Sequence, residues 1–512
     1  MSKPHPADLP SPLSSTVESR PGLLRVLGPG MATAIVVGSV IGSGIFAKPG
    51  RIAADAGSFG LIIFTWIAAG VICLMGALCF AELAVMLPRA GGLYVYLREA
   101  YGRPVAFLFG WSEFLFGQPA SVGALAVLCV GSLAKATGWN AGTAEHIVIA
   151  VLLIIGMSWV NIIGVIWGGR MQGATTIVKS GFVVFVAVLP FVLMGMGHTG
   201  VTAANYASTV IPAESAPAGR FAIVLLSVMW AYNGWHGITP VAEEIRNPQR
   251  NIPLALFGGI AVLIVLYVSA NIAYYGVLSM KQIAASGDHA AEAMVKSLLG
   301  STGSTIMSIG VVMSTLGAMN SNMLQGPRIS FAMGRDDVFF RQLGRVHVNY
   351  RTPAVAIAVQ GVLAVVMILA AAAWVSTNRP STSPRPSLAA VDAPRSVPQA
   401  AGAHRSQTIA GVFEMLTNLV VFSASLFYML AVAAVLVLRR RHPQWDRPYR
   451  TVGYPAVPLA YLAFYTWFLY YVYRGRPAAA NIGLVLILAG LPCFYLWKHW
   501  ATRHPDNPLD GQ

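Results

Sequence analysis

Apolar residues in this chain come in long blocks and do not alternate with polar ones. Twelve stretches of at least 21 residues contain no Asp, Glu, Lys or Arg: Val26 to Ala47, Ala56 to Ala81, Phe114 to Ala134, His146 to Gly169, Ser180 to Ala213, Phe221 to Ala242, Asn251 to Met280, Ser297 to Pro327, Thr352 to Asn378, Met415 to Leu438, Thr451 to Tyr473 and Pro477 to Trp497. A helix rising about 1.5 Å per residue needs about 20 residues to cross about 30 Å of hydrocarbon. Each block therefore predicts one span, and the fold class is an all-α membrane protein with about twelve transmembrane helices. Between blocks, Ser279 to Lys296 places Ile283, Ala284, Ala291, Met294 and Val295 at near-helical spacing, which predicts a helix lying on the outer surface. Ser376 to Gln407 is rich in Pro, Ser, Ala and Arg without a period, and reads as a flexible outside loop over 376–407.

Composition narrows the class further. Charged residues make up 10% of the 512, against roughly 25% in a soluble chain, and the mean hydropathy is +0.64. A water-soluble enzyme, disorder and collagen are excluded. The net charge is +15, yet Lys and Arg do not cluster with aromatics on a polar segment, so no nucleic acid is expected as a partner. Most Lys and Arg fall on the side shared by both termini. That places both termini in the cytoplasm of a multi-pass plasma (inner) membrane protein. Residues 1–25 and 501–512 then read as cytoplasmic tails, and the first has no apolar core of the kind a signal peptide needs. Cys73, Cys79, Cys129 and Cys493 all lie in apolar runs, as buried thiols do.

Two spans look interrupted. From Gly38 to Gly44, five of seven residues are Gly or Ser. Gly38 and Gly42 form a G-x-x-x-G, which fits a small-residue packing face. The other reading is that Gly42, Ser43 and Gly44 unwind at mid-membrane and expose N–H groups at the start of a second half-helix, which with the helix dipole hold a carboxylate. The sixth span carries Asn233-Gly234, Gly237 and Pro240 in an apolar run. Two Gly/Pro-interrupted spans five apart point to an inverted-repeat secondary transporter with substrate near the midplane. Spans one to five (26–200) pair with six to ten (218–438), and 451–500 adds two helices. Unwound carbonyls around Val40 and Ile41 and around Trp230 and Ala231 would accept from an ammonium group. Carboxylate and ammonium sites together describe an amino acid. No carboxylate lies beside Gly42 to Gly44 or Trp230 to His236, which favours neutral substrates.

Other polar residues carry competing readings. Trp230 and Trp235 lie too deep for an interfacial belt. His236 is either a pocket residue or a hydrogen-bonded core histidine. Glu82 and Glu113, read at or near helix ends, fit pairing with loop arginines or backbone donors. Glu243, Glu244, Arg246 and Arg250 lie on a cytoplasmic connection, as a gate or a loop-ordering network. Lys179 lies nine residues from Arg170, roughly 13 Å at about 1.5 Å per residue, and an intramembrane lysine is a functional candidate by default.

Five segments resemble the amino acid–polyamine–organocation superfamily, and within it the L-type amino acid transporters. They are Ile41-Gly-Ser-Gly-Ile-Phe46, Pro88-Arg-Ala-Gly-Gly-Leu-Tyr-Val-Tyr96, Ala231-Tyr-Asn-Gly-Trp235 running into Glu243-Glu-Ile-Arg-Asn-Pro-Gln-Arg-Asn-Ile-Pro253, Gly317-Ala-Met-Asn320 with Gly326-Pro-Arg328 and Arg351-Thr-Pro353, and Arg447-Pro-Tyr with Gly453-Tyr-Pro455. The resemblance implies ten core helices in two inverted five-helix repeats plus two added helices. It also implies sodium-independent transport by exchange or proton coupling, with no cofactor or metal. Ile41, Gly42, Ser43 and Gly44 would surround the substrate carboxylate, Trp230 would form an aromatic lid, and Ala231, Asn233 and His236 would line the pocket. His236 stands where the L-type members usually have Asn. Asn320 would lie in or just behind the pocket. Lys179 would occupy the place where sodium-coupled relatives bind a cation. Some animal members use a disulfide-linked subunit. The connection Lys135 to Glu145 has no Cys, so a monomer or a non-covalent oligomer is expected. The competing functions are a cationic amino acid or polyamine transporter, an amino acid sensor of transporter type, a channel, and an intramembrane serine protease using Ser43 and His236.

Overall fold

The computed structural model describes residues 23–377 and 424–503, except 141, 199, 213, 215 and 476. Nearly all of the tail over 1–25, most of the loop over 376–407 and most of the tail over 501–512 lie outside the described residues. Span one is built from α1 (Pro29–Val40) and α2 (Gly44–Ala47), and α3 (Pro49–Ala56) follows. Pro29 and Pro49 each open a helix at a position where the missing N–H costs nothing. Span two is α4 (Phe59–Met86), and α5 (Leu93–Tyr101) leads into span three. That span joins α6 (Arg103–Ser112), a π-helical turn (Glu113–Gly117) and α7 (Gln118–Thr137). Spans four and five are α8 (Thr143–Ile162) and α9 (Val165–Gly195), followed by α10 (Ala203–Ala207). Span six begins as α11 (Pro217–Tyr232) and resumes, after a stretch of turns, as a 3₁₀ segment (Thr239–Glu244). Then come α12 (Pro248–Val277), the short α13 (Met280–Ala285), α14 (Ala290–Arg335), α15 (Ala354–Thr377), α16 (424–441), α17 (Ala456–Gly475), α18 (Pro477–Leu488) and α19 (Gly490–Arg503).

The architecture is all-helical; among the described residues the sole β pairing is a bridge between Leu27 and Ile245. Nine helices among the described residues are long and apolar enough to cross a membrane, and Pro217–Tyr232 is a shorter apolar helix because its span is broken. Phe64, Leu152, Trp159, Ile177, Val265 and Leu496 are exposed on the outside of the bundle. So much exposed apolar surface is stable against lipid, and the chain is a multi-pass integral membrane protein.

Two boundaries differ from the sequence expectation. Span three begins at Arg103, not at Phe114, because Glu113 lies inside the helix and interrupts the charge-free run. The outer helix expected over Ser279 to Lys296 is two pieces, α13 and the first turns of α14, separated by a 3₁₀ turn (Gly287–His289) in which Gly287 has φ 52°. A non-helical Gly300 (φ 64°) then separates those first turns from the long part of α14. At the centre, α1 is enclosed by α9, α12 and α14.

Candidate functional site

The break in span one is a real interruption. Helix α1 closes with the Ile41 N–H donating to Val37 O, and Ile41 itself is extended at φ −69°, ψ 96°. Among the described residues, no acceptor takes the N–H of Gly42 or Ser43. A Cβ added to Gly42 would make ordinary contact with Ala318 Cβ and Val40 O at 3.9 Å, so the glycine is not crowded. Gly38 is different. A Cβ there would lie 2.2 Å from the side chains of Gln172 and Thr176, so the small-residue packing reading holds for Gly38 against α9 and not for Gly42. Gly44 is pinned by close approach, since a Cβ would come within 2.6 Å of Ala231 Cα.

Span six breaks after Tyr232. Asn233 is extended, and Gly234 sits at φ 99° with its added Cβ 3.0 Å from Ser39 O, a place only glycine fills comfortably. The Asn233 side-chain oxygen caps the break by accepting from Gly234 N–H (3.0 Å) and from the Tyr428 hydroxyl (2.9 Å). That hydroxyl also lies 3.5 Å from His236 Nε2, and the two rings are 4.6 Å apart. Phe80 and Trp235 pack around His236, and its Nδ1 is buried without a partner. Trp230 is half-buried and packs with Met367 against Ala120, Ala124 and Ala371, reaching from span six to spans three and nine.

The two breaks touch. The Tyr267 hydroxyl lies 3.0 Å from Val40 O and 3.1 Å from Ala231 O, within donating distance of both. Ser314 reaches Ile41 O (3.3 Å) and Gly42 O (3.2 Å), and Trp230 O accepts from Asn233 N–H. The carbonyls expected to receive an ammonium group thus already face protein donors, and a ligand would use the second lone pair each carries. Tyr274 and Tyr275 donate to Ile45 O and Pro49 O, so α12 follows span one across its break.

Lys179 is fully buried and donates its ammonium to Gly38 O. Its Nζ would lie 3.1 Å from a Cβ on Gly317, so that glycine makes room for it. Asn320 bonds Asn161 (2.9 Å), Gly168 O (3.1 Å) and Gln172 (3.0 Å), which ties it to spans four and five and not to Trp230, Asn233 or His236. Glu243 takes Arg335 and the Ala90 N–H, and Glu244 takes the fully buried Arg328 at 2.8 Å. Arg246 stands apart: it is exposed, donates to Arg25 O (3.3 Å), and lines a cleft of about 420 Å³ with Gly28, Met31, Ile166 and Arg170. No hydrogen bond joins Ser43 to His236 among the described residues, whose ring faces Tyr428.

Glu82 does pair with arginines, Arg439 in the last turn of α16 (2.6 Å) and Arg447 in the loop that follows (3.5 Å). Glu113 does not. It sits in the π-helical turn of span three with the Gln118 amide donating at 2.7 Å. The charge itself ends the apolar window, so in sequence Glu113 reads as a helix end and not as the interior of span three. Tyr267, Ser314 and Tyr428 were missed, since buried hydroxyls on apolar helices gain meaning only from what they touch. Among the described residues no group of three or more His, Cys, Asp or Glu could hold a metal ion.

The amino acid permease family model matches residues 27–494. The serine/threonine exchanger SteT of Bacillus subtilis (strain 168) is 30% identical over 479 residues, covering 93% of this chain and 98% of that protein. Asc-type amino acid transporter 1 of Mus musculus is 28% identical, covering 94% and 83%. Large neutral amino acids transporter small subunit 2 of Homo sapiens is also 28% identical, covering 98% and 86%.

Proposed function

The chain belongs to the amino acid permease family and is a membrane transporter of amino acids, not an enzyme; from that premise we propose sodium-independent, alternating-access exchange of neutral L-amino acids. The observation that carries the reading is the break at Gly42 and Ser43, where two N–H groups lack acceptors among the described residues at the start of a half-helix. They fit an α-carboxylate without a cationic side chain. The carbonyls of Val40, Ile41, Trp230 and Ala231 border the same point and fit the α-ammonium group. Trp230 acts as the lid, and Asn233 and His236 face the side chain. Lys179 supplies a fixed or titrating positive charge at Gly38 O, which supports a cycle that needs no sodium. SteT is named as an exchanger, which favours exchange here too.

Glu243 and Glu244, through Arg335 and Arg328, close the end of the bundle that carries α5, and we assign that end to the cytoplasm of the inner membrane with both termini. Arg98, Arg335, Arg439 and Arg441 gather there, in line with the positive-inside rule. Three of the four thiols are buried and the fourth, Cys493, is half-buried within α19, which supports function without a disulfide-linked subunit. The test is uptake by purified protein in liposomes loaded with unlabelled amino acid. Labelled neutral L-amino acids should enter in exchange, without sodium. Absence of uptake for all twenty, with or without internal substrate or a pH gradient, would sink the proposal. A reducible higher-mass species on a gel from native membranes would contradict independence from a disulfide-linked subunit.

A further inference from the structure

No carboxylate lies beside the two breaks in sequence, and the fold adds one on another span, Glu113. This residue lies ten residues into span three, counted from Arg103, or about 15 Å at about 1.5 Å per residue, near the middle of a bilayer. It opens a five-residue π-helical turn (Glu113–Gly117). Such turns occur mostly as single insertions at functional sites, because the extra residue turns a side chain away from its helical register. The turn also makes room: a Cβ on Gly117 would lie 2.9 Å from Glu113 Oε1. Gln118 donates to Oε2 at 2.7 Å, and no side chain donates to the other oxygen among the described residues.

The turn that carries the carboxyl also packs beside the pocket. One helical turn before Glu113, Phe109 meets Phe427 with ring centroids 5.2 Å apart, and the next residue, Tyr428, donates to Asn233 and borders His236. Buried polar atoms without partners gather around this end, the Tyr96 and Tyr461 hydroxyls and several acceptors among them. Gln118 Oε1 is buried without a partner, Glu113 Oε1 accepts from no side chain, and His236 Nδ1 is buried and unpartnered. If Tyr428 accepts from a proton on Nε2, Nδ1 is an acceptor as well. Glu113 Oε1 and His236 Nδ1 are then acceptors that a donor on a ligand can satisfy, and an acid deep in a bilayer is a functional candidate by default.

We propose that Glu113 is a specificity-determining residue whose carboxyl takes a hydrogen-bond donor at the end of the substrate side chain. The inference rests on the amino acid site proposed at the two breaks and adds to it what lies at the far end. The donor is a hydroxyl, as in serine or threonine, in keeping with neutral substrates; an ammonium, as in lysine, is the other outcome that the test reads. Gln118 is a positioning residue that holds the carboxyl over Gly117.

The test uses the full chain in liposomes and the isosteric pair threonine and valine, with lysine as a third competitor. Wild-type uptake should favour threonine over valine by about tenfold or more, the size of a lost hydrogen bond to a charged group. In Glu113→Leu that ratio should fall to about one; taken within each variant, it cancels changes in protein amount and turnover. Lysine ahead of threonine in the wild type, with the lead lost in Glu113→Gln, identifies the donor as ammonium. Threonine ahead of both identifies it as hydroxyl. An unchanged threonine-to-valine ratio in Glu113→Leu overturns the proposal. So does a wild type that treats threonine and valine alike and excludes lysine, which keeps the idea testable if the variants do not fold. No uptake of any amino acid by the wild type would instead count against the transport cycle, and is distinguishable from either result.

Discussion

At the α5 end of the bundle, Glu244 and Arg328 are both fully buried and joined at 2.8 Å. Nearby, Glu82 takes Arg439 and Arg447, and Arg98 takes Asp336. Midway through the bundle, Lys179 has a backbone carbonyl as its partner and Glu113 an amide. The chemistry of the groups is the same in both regions; the partners differ. A charge paired with its opposite has its geometry fixed, and removing its partner leaves a bare ion in a poor solvent. A lone charge keeps the freedom to exchange its partner for a proton or a ligand. The first region therefore reads as structure and the second as function.

The largest expected effect belongs to the first region. Arg328→Met leaves Glu244 buried and unpaired and should cost about 3–5 kcal/mol, seen as loss of the monodisperse species in detergent. Arg328→Met with Glu244→Met should recover much of it. A single variant as stable as the wild type would break the contrast. In the second region, Lys179→Ala should act on transport. Loss of proton-driven uptake with counter-exchange retained marks a lysine that titrates, while loss of both marks a fixed charge. Normal rates in both assays would return Lys179 to packing.

Smaller effects sharpen the division. Trp230→Ala should weaken uptake without lowering thermal stability, and His236→Asn should reorder substrates more than it changes rate; kinetics and ranking unchanged in both would return them to packing roles. Tyr267→Phe removes the hydroxyl shared by Val40 O and Ala231 O and should cost about 1 kcal/mol, measured as a lower melting temperature in the purified protein. The smallest effect lies at the opposite end, ahead of the Gly300 kink, where Glu292 bonds Lys135 and Ser304. Burial alone would raise that carboxyl, but bonds from His289, Lys135 and Ser304 outweigh it and hold it at about 2. Its folded value is below the ordinary one near 4.3. Its contribution is therefore present above that value and lost as pH falls toward 2. Glu292→Gln should flatten the acid limb of a melting-temperature profile by a small amount, since exposed pairs contribute little; an identical limb would show that the pair carries no stability.

The spans were legible because hydrocarbon excludes charge, and the breaks were legible because Gly42 to Gly44 and Asn233-Gly234 cannot hold a regular helix cheaply. The same rule that found the spans hid Glu113, since a carboxyl accommodated by a π turn looks like a helix end. The partners of Asn320, Asn161 and Gln172, were not legible, since they come from helices that no local pattern brings together. The outer helix failed at Gly287 for a conformational reason: its apolar period is right, but a left-handed residue divides it.

The bridge between Leu27 and Ile245 has a mechanical meaning. Leu27 N–H donates to Glu244 O and Arg246 N–H donates to Leu27 O, so the strand of chain ahead of span one is lashed to the end of span six. Tyr267 adds a second lashing at the breaks. Fastened at two levels, the two interrupted spans form a ladder with two rungs, and whatever tilts one rail tilts the other. A pair of spin labels at Leu24 and Arg246 should then keep a constant separation through the transport cycle, while a label on either and one on the exposed Val362 of α15 should change theirs.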